Sequence, residues 1–107
     1  MSGIFLLTIM HVWDKATIVP NYDSNIWRQD FAGAWIRRDA YGQRTKYGWE
    51  VDHLVPVSKG GSDDLSNLAA LHWQNNVTKG QDFPEFKTCI TSEGNSNIKL
   101  IKSWKLK

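Results

Sequence analysis

Six tryptophans in a chain of 107 residues limit what it can fold into: Trp13, Trp27, Trp35, Trp49, Trp73 and Trp104. A chain this short can build one modest core and not two. Each indole can bury a large apolar area, and that burial lets a small domain reach stability without a staple. Core filling is therefore the expected role of these residues, ahead of a stacking platform for bases. The single cysteine, Cys89, excludes an internal disulfide and any cysteine-based zinc site, and a small buried side chain is expected there. The formal net charge of +2 permits a polyanionic partner without demanding one. Arg28, Arg37, Arg38, Arg44 and Lys46 precede the acidic stretch, and lysines enrich the tail.

Ile4 to Met10 is apolar but far too short to span a bilayer; it reads as an edge strand or as a leader upstream of Met10. No membrane association is expected, and a cytoplasmic setting is. Residues 11–48 hold one short helix candidate, with Asp23 or Ser24 as cap, Ile26, Trp27 and Phe31 as its apolar side and Gly33 as its stop. Ala34 to Arg38 reads as a short strand ending at Tyr41-Gly42. Trp49 to Val57 is rich in β-formers and predicts a strand ending near Pro56. Lys59 to Asp64 must be a loop, Leu68 to Trp73 a second strand, and Gln74 to Asp82 a helix with Gly80 near its end. Asn75, Asn76 and Thr78 are weak helix formers, which suggests that some demand other than helix propensity chose them. Thr88 to Thr91 and Ile98 to Trp104 flank a Gly/Asn turn over residues 92–97, predicting a hairpin that covers the core.

Chemistry concentrates in residues 49–80. Cutting a phosphodiester requires deprotonating a water, stabilising a pentacoordinate dianion and neutralising the leaving oxygen; one divalent cation with oxygen ligands can do the last two. A histidine, with an ordinary pKa of about 6.5, is the natural base. Asp52 and His53 supply both group types side by side. Neighbours on a regular strand point to opposite faces, so the two can share a site only where the strand ends or bulges. Asn67 could orient the imidazole through its side-chain carbonyl, and Asn76 could bring a neutral oxygen to a metal opposite Asp52. One carboxylate and one amide, completed by water and phosphate, suit Mg²⁺ or Mn²⁺. Singly these are weak signals, since an Asp-His pair is more often surface or a satisfied hydrogen bond.

The stretch from Glu50 to Gly80 closely resembles the HNH endonuclease motif in its Asp-His, middle Asn, final Asn form. Asn67 lies 14 residues after His53 and Asn76 nine after Asn67, with the intervening Gly-Gly, Asn-Leu and terminal Lys-Gly also matching. The flanking Trp27-Arg-Gln-Asp, Gly33-Ala-Trp-Ile and Tyr47-Gly-Trp resemble a bacterial HNH subgroup. This resemblance implies a ββα-metal core; with the short N-terminal helical region and the C-terminal β-hairpin read above, the expectation is an α+β fold as one domain over residues 1–107. It implies Asp52 and Asn76 as metal ligands, His53 as general base and Asn67 as the residue orienting it. It further implies a nuclease acting on DNA, in some members RNA, with one divalent ion.

Many HNH proteins also hold a structural zinc on cysteine pairs. Here the second pair falls at His72 and Asn75, and the upstream positions are Phe31 and Gly33, so no structural zinc is expected. Lys79, Arg28, Arg37, Arg38 and Arg44 are candidate nucleic-acid contacts. Glu50 and His72 are candidates for the surroundings of the metal, with a packed histidine the more ordinary reading of His72, and His11 is expected to be structural or exposed. A catalytically idle nucleic-acid-binding module of the same fold, or a toxin domain using the same chemistry, are the alternatives.

Overall fold

The computed structural model describes residues 6–106. Helix α1 (Leu6–Lys15) comes first. Ile9, Val12, Trp13 and Ala16 recur at helical spacing and turn one side onto the core, so residues 6–10 are helical and not the expected edge strand. Residues 4–5 of that expected segment lie outside the described residues.

The helix expected from Asp23 to Gly33 is a second correction. Asp23 does nucleate one turn: its carboxylate accepts from the Asn25 amide, and its carbonyl from those of Ile26 and Trp27. The chain then extends into β1 (Trp27–Gln29), which pairs antiparallel with β2 (Trp35–Arg37). Tertiary bonds override local propensity here. Gln29 exchanges backbone hydrogen bonds with Thr17, and the Arg28 guanidinium donates to the carbonyls of Asp14 and Ala16 at the end of α1. Gly33 closes the β1–β2 turn at φ +91°, and a Cβ there would meet Thr91 Oγ1 at 2.7 Å.

Strands β3 (Trp49–His53) and β4 (Leu68–His72) pair antiparallel, with Asp52 opposite Ala69 and His53 opposite Leu68. Helix α2 (Trp73–Lys79) follows at once and stops at Gly80, whose amide bonds the Asn76 carbonyl. Strands β5 (Glu85–Glu93) and β6 (Ser96–Lys105) form the expected hairpin, but with longer arms. Gly94-Asn95 alone make the turn, because Asn97 is recruited as a strand residue. Its amide accepts from Trp35 N at 2.7 Å and donates to Trp35 O at 3.0 Å. The described residues thus form a mixed α/β domain of two helices and three antiparallel strand pairs.

Val12, Trp13, Ile36, Ala40, Trp49, Leu68 and Ala70 form the core between α1 and the β3–β4 pair. Trp13, Trp35 and Trp49 are buried, and Trp27, Trp73 and Trp104 are half-buried. Among the described residues no helix is long and apolar enough to cross a membrane.

Candidate active site

β3 ends at His53, and the Leu54 amide turns away to the Asn67 carbonyl at 2.9 Å. Asp52 and His53 thereby reach one pocket of about 270 Å³, which Asn76 of α2 also lines, together with Val51, Pro56, Val57, Gly80 and Gln81. The strand end required for two adjacent side chains to share a site is present.

Asp52 is buried, and among the described residues its Oδ2 has no hydrogen-bond partner. The Lys79 ammonium lies 3.3 Å from that oxygen as an ion pair, without the alignment of a hydrogen bond. Burial pushes the Asp52 carboxyl up to about 6, against the opposing pull of Lys79 and His53. Lys79 is itself fully buried, packed against the Phe86 ring, and donates to the His53 carbonyl at 3.1 Å. A phosphate contact by Lys79, expected from its place about one helical turn beyond Asn76 on the same face, does not fit a side chain turned inward to hold the end of β3.

The Asn67 side chain makes its hydrogen bonds elsewhere than to the His53 ring. Its amide binds both the N–H and the carbonyl of Val55, at 2.9 and 3.1 Å, and donates to Ser62 O at 2.8 Å. It ties the β3 exit to the glycine loop. The imidazole is met instead by Asp63, whose Oδ1 lies 2.7 Å from His53 Nε2.

His72 is excluded from metal binding by its own hydrogen bonds. Nδ1 accepts from the Gln74 amide at 3.1 Å and so caps α2, while Nε2 lies 2.9 Å from the Lys46 carbonyl. Both nitrogens are used by a neutral ring, and burial lowers its pKa. Glu50 lies outside the pocket, and its charge adds to burial in raising the pKa of the Tyr41 phenol. Arg28 is buried across the end of α1 and over the Trp13 ring, so it is a brace and not a DNA contact. Arg37 and Arg44 are exposed, over Trp27 and Trp73 respectively, and Arg38 is half-buried. His11 is exposed and Cys89 half-buried.

Residue-level reading missed one buried polar hub. Asp30 Oδ1 accepts from the amides of Ala32 and Ala34, and Oδ2 from the His72 amide and Asn75 Nδ2, at 2.8–3.0 Å. Burial raises the Asp30 pKa, and these donors oppose the shift. Asn75, fully buried, also donates to Ile90 O, and its Oδ1 accepts from the amides of Cys89 and Ile90 at the β5 bulge. The hub joins the β1–β2 turn, the β4–α2 junction and β5. It stands at His72 and Asn75, the positions where the resemblance would put a second zinc cysteine pair. The available signal was an asparagine inside a helix.

Residues 40–82 match the family model described as HNH endonuclease. The chain is 47% identical over 36 residues to "Probable mobile endonuclease C" of Enterobacteria phage T4; the match covers 34% of this chain and 17% of that protein. The chain therefore corresponds to about a sixth of this relative's length. No solved structure matches. The family match contains the strand–loop–strand–helix unit and all of the residues that meet at the pocket: residues 40–82 of this chain carry an HNH endonuclease motif.

Proposed function

We propose that this chain hydrolyses phosphodiester bonds of nucleic acid, DNA foremost, with Mg²⁺ or Mn²⁺ as cofactor and residues 1–107 acting as one nuclease domain whose β3–loop–β4–α2 unit is a ββα-metal core. The observation that carries the reading is the common pocket of Asp52, His53 and Asn76, in which one buried carboxylate oxygen lacks any hydrogen-bond donor. A buried anionic oxygen without a donor is costly unless another charge meets it. Lys79 meets part of that need, and a hard cation between Asp52 and Asn76 would meet the rest. Among the described residues no cluster of three His, Cys, Asp or Glu is arranged to hold a metal. A site of one carboxylate and one amide suits an ion that keeps several waters and takes phosphate oxygens.

A divalent ion held there would supply positive charge to the phosphate and to the departing oxygen. The chain's own residues do the remaining work. His53 accepts a proton from the attacking water at the ring nitrogen that carries no hydrogen. Lys79 holds the His53 carbonyl, so the base cannot drift from the Asp52 side of the pocket. Asn67 keeps the glycine loop against the β3 exit. The exposed cations Arg37 and Arg44, and the half-buried Arg38, are the proposed backbone contacts to substrate. The phage relative, named as a mobile endonuclease, agrees with this chemistry.

The test is incubation of the full chain with supercoiled plasmid in Mg²⁺, Mn²⁺ or EDTA, beside His53→Ala. Nicking that needs the metal and is lost in His53→Ala is expected. A folded protein that binds DNA without cutting it under any ion would make this an idle binding module. Activity in His53→Ala near wild type would remove His53 as base.

A further inference from the structure

We propose that Asp63, and not Asn67, is the positioning residue of His53: its carboxylate fixes which ring nitrogen carries the hydrogen and which faces the reacting water. The proposal rests on the reading of His53 as general base. Asp63 Oδ1 lies 2.7 Å from His53 Nε2. An ionised carboxylate can only accept, so Nε2 must be the protonated nitrogen of the neutral ring. Nδ1 then holds the lone pair, which is the group a base needs. An amide at the same place would be a neutral acceptor; a carboxylate also stabilises the imidazolium that forms once the proton has moved.

The side chain of Asp63 is 68% exposed, and an exposed pair of this kind is ordinarily worth little. What separates this one from a chance surface contact is the loop beneath it. Gly61 N donates to Pro56 O at 3.0 Å, and a Cβ on Gly61 would lie 1.7 Å from Val55 O, so the backbone is packed where only glycine fits. Ser62 O accepts from Asn67 Nδ2 at 2.8 Å, and Ser62 Oγ accepts from Asp64 N at 3.2 Å. Asn67 N closes the turn onto Asp64 O at 2.8 Å. The backbone of Asp63 is thus clamped on both sides, so the bond to the imidazole has only the short Asp63 side chain left to order. Asn67 acts one step removed, through Ser62.

The experiment uses the full chain with Asp63→Ala, Asp63→Asn and Asp63→Glu. Two readouts are taken: the His53 ring tautomer by ¹⁵N NMR without added metal, above the range where an imidazole protonates, and kcat and KM for plasmid nicking. In wild type the Nε2–H tautomer dominates. Asp63→Ala brings a mixture of tautomers and a loss of kcat of about 10–100-fold, with KM and melting temperature unchanged. Asp63→Asn, whose carbonyl can still accept, keeps the tautomer and loses less rate, and Asp63→Glu recovers part of it. An unchanged His53 tautomer in Asp63→Ala overturns the proposal, as does an unchanged kcat. A parallel fall in stability and rate across all three variants overturns it in favour of a loop-building role. A wild-type chain that never cuts would refute the nuclease reading, while the tautomer of Asp63→Ala would still decide whether the carboxylate sets the ring.

Discussion

Asn75→Ala should be one of the most damaging single substitutions outside the pocket. Asn75 is fully buried, and its loss leaves three buried or half-buried backbone groups without their partner: the amides of Cys89 and Ile90 and the carbonyl of Ile90. Asp30 Oδ2 keeps the His72 amide. A buried polar group stranded by truncation costs about 1–3 kcal/mol. Three of them sum to roughly 3–9 kcal/mol, the lower figure applying if a water enters the vacated space. Total stability of a small domain is about 5–15 kcal/mol, so this is a large share of it. At about 4–8 °C per kcal/mol for a domain near this size, melting falls by at least about 12 °C. Urea and thermal unfolding read the effect directly. Asn75→Asp should be worse still, because it keeps the acceptor but places a second carboxylate against Asp30 at the 3.0 Å contact. A loss below about 1 kcal/mol for Asn75→Ala, a value more typical of a surface change, would refute the claim that this hub braces the fold.

Three further outcomes are expected. Asn76→Ala, one residue along the same helix but half-buried at the pocket, should leave melting within a few degrees of wild type and sharply raise the Mg²⁺ needed for nicking; an unchanged metal titration would remove it as a ligand. Acid should weaken the fold through His72, whose folded pKa lies below its ordinary 6.5: the unfolded chain takes up the proton first, so stability is full above 6.5 and declines as pH falls through the folded value. His72→Asn should flatten that part of an unfolding-free-energy profile, and an equal slope in both proteins would reject the neutral, doubly bonded ring. EDTA should abolish nicking while lowering the melting temperature only slightly, because the pocket ion has few protein ligands and the Asp30–Asn75 hub fills the positions where the resemblance would put a zinc cysteine pair; a large drop in melting would reveal a structural metal.

The residues that meet at the pocket were legible because their spacing is local. Asp52 and His53 are adjacent, Asn76 lies on the helix that follows β4 at once, and strand, loop, strand and helix are each encoded by short runs of β-formers and glycines. Propensity also signalled Asn75, as a weak helix former, without saying what held it. Only tertiary structure turned Trp27–Gln29 from helix to strand, because the bonds that extend it come from Thr17 and from the end of α1. Packing alone turned Lys79 inward, reduced Arg28 to a brace, and gave the His53 ring to Asp63 in place of Asn67. The Asp30 hub spans partners 42 and 45 residues apart, and Asn97 reaches Trp35 across 62. Whether a polar side chain faces water or a distant backbone amide is decided by what else is buried beside it, and no local pattern of residues carries that information.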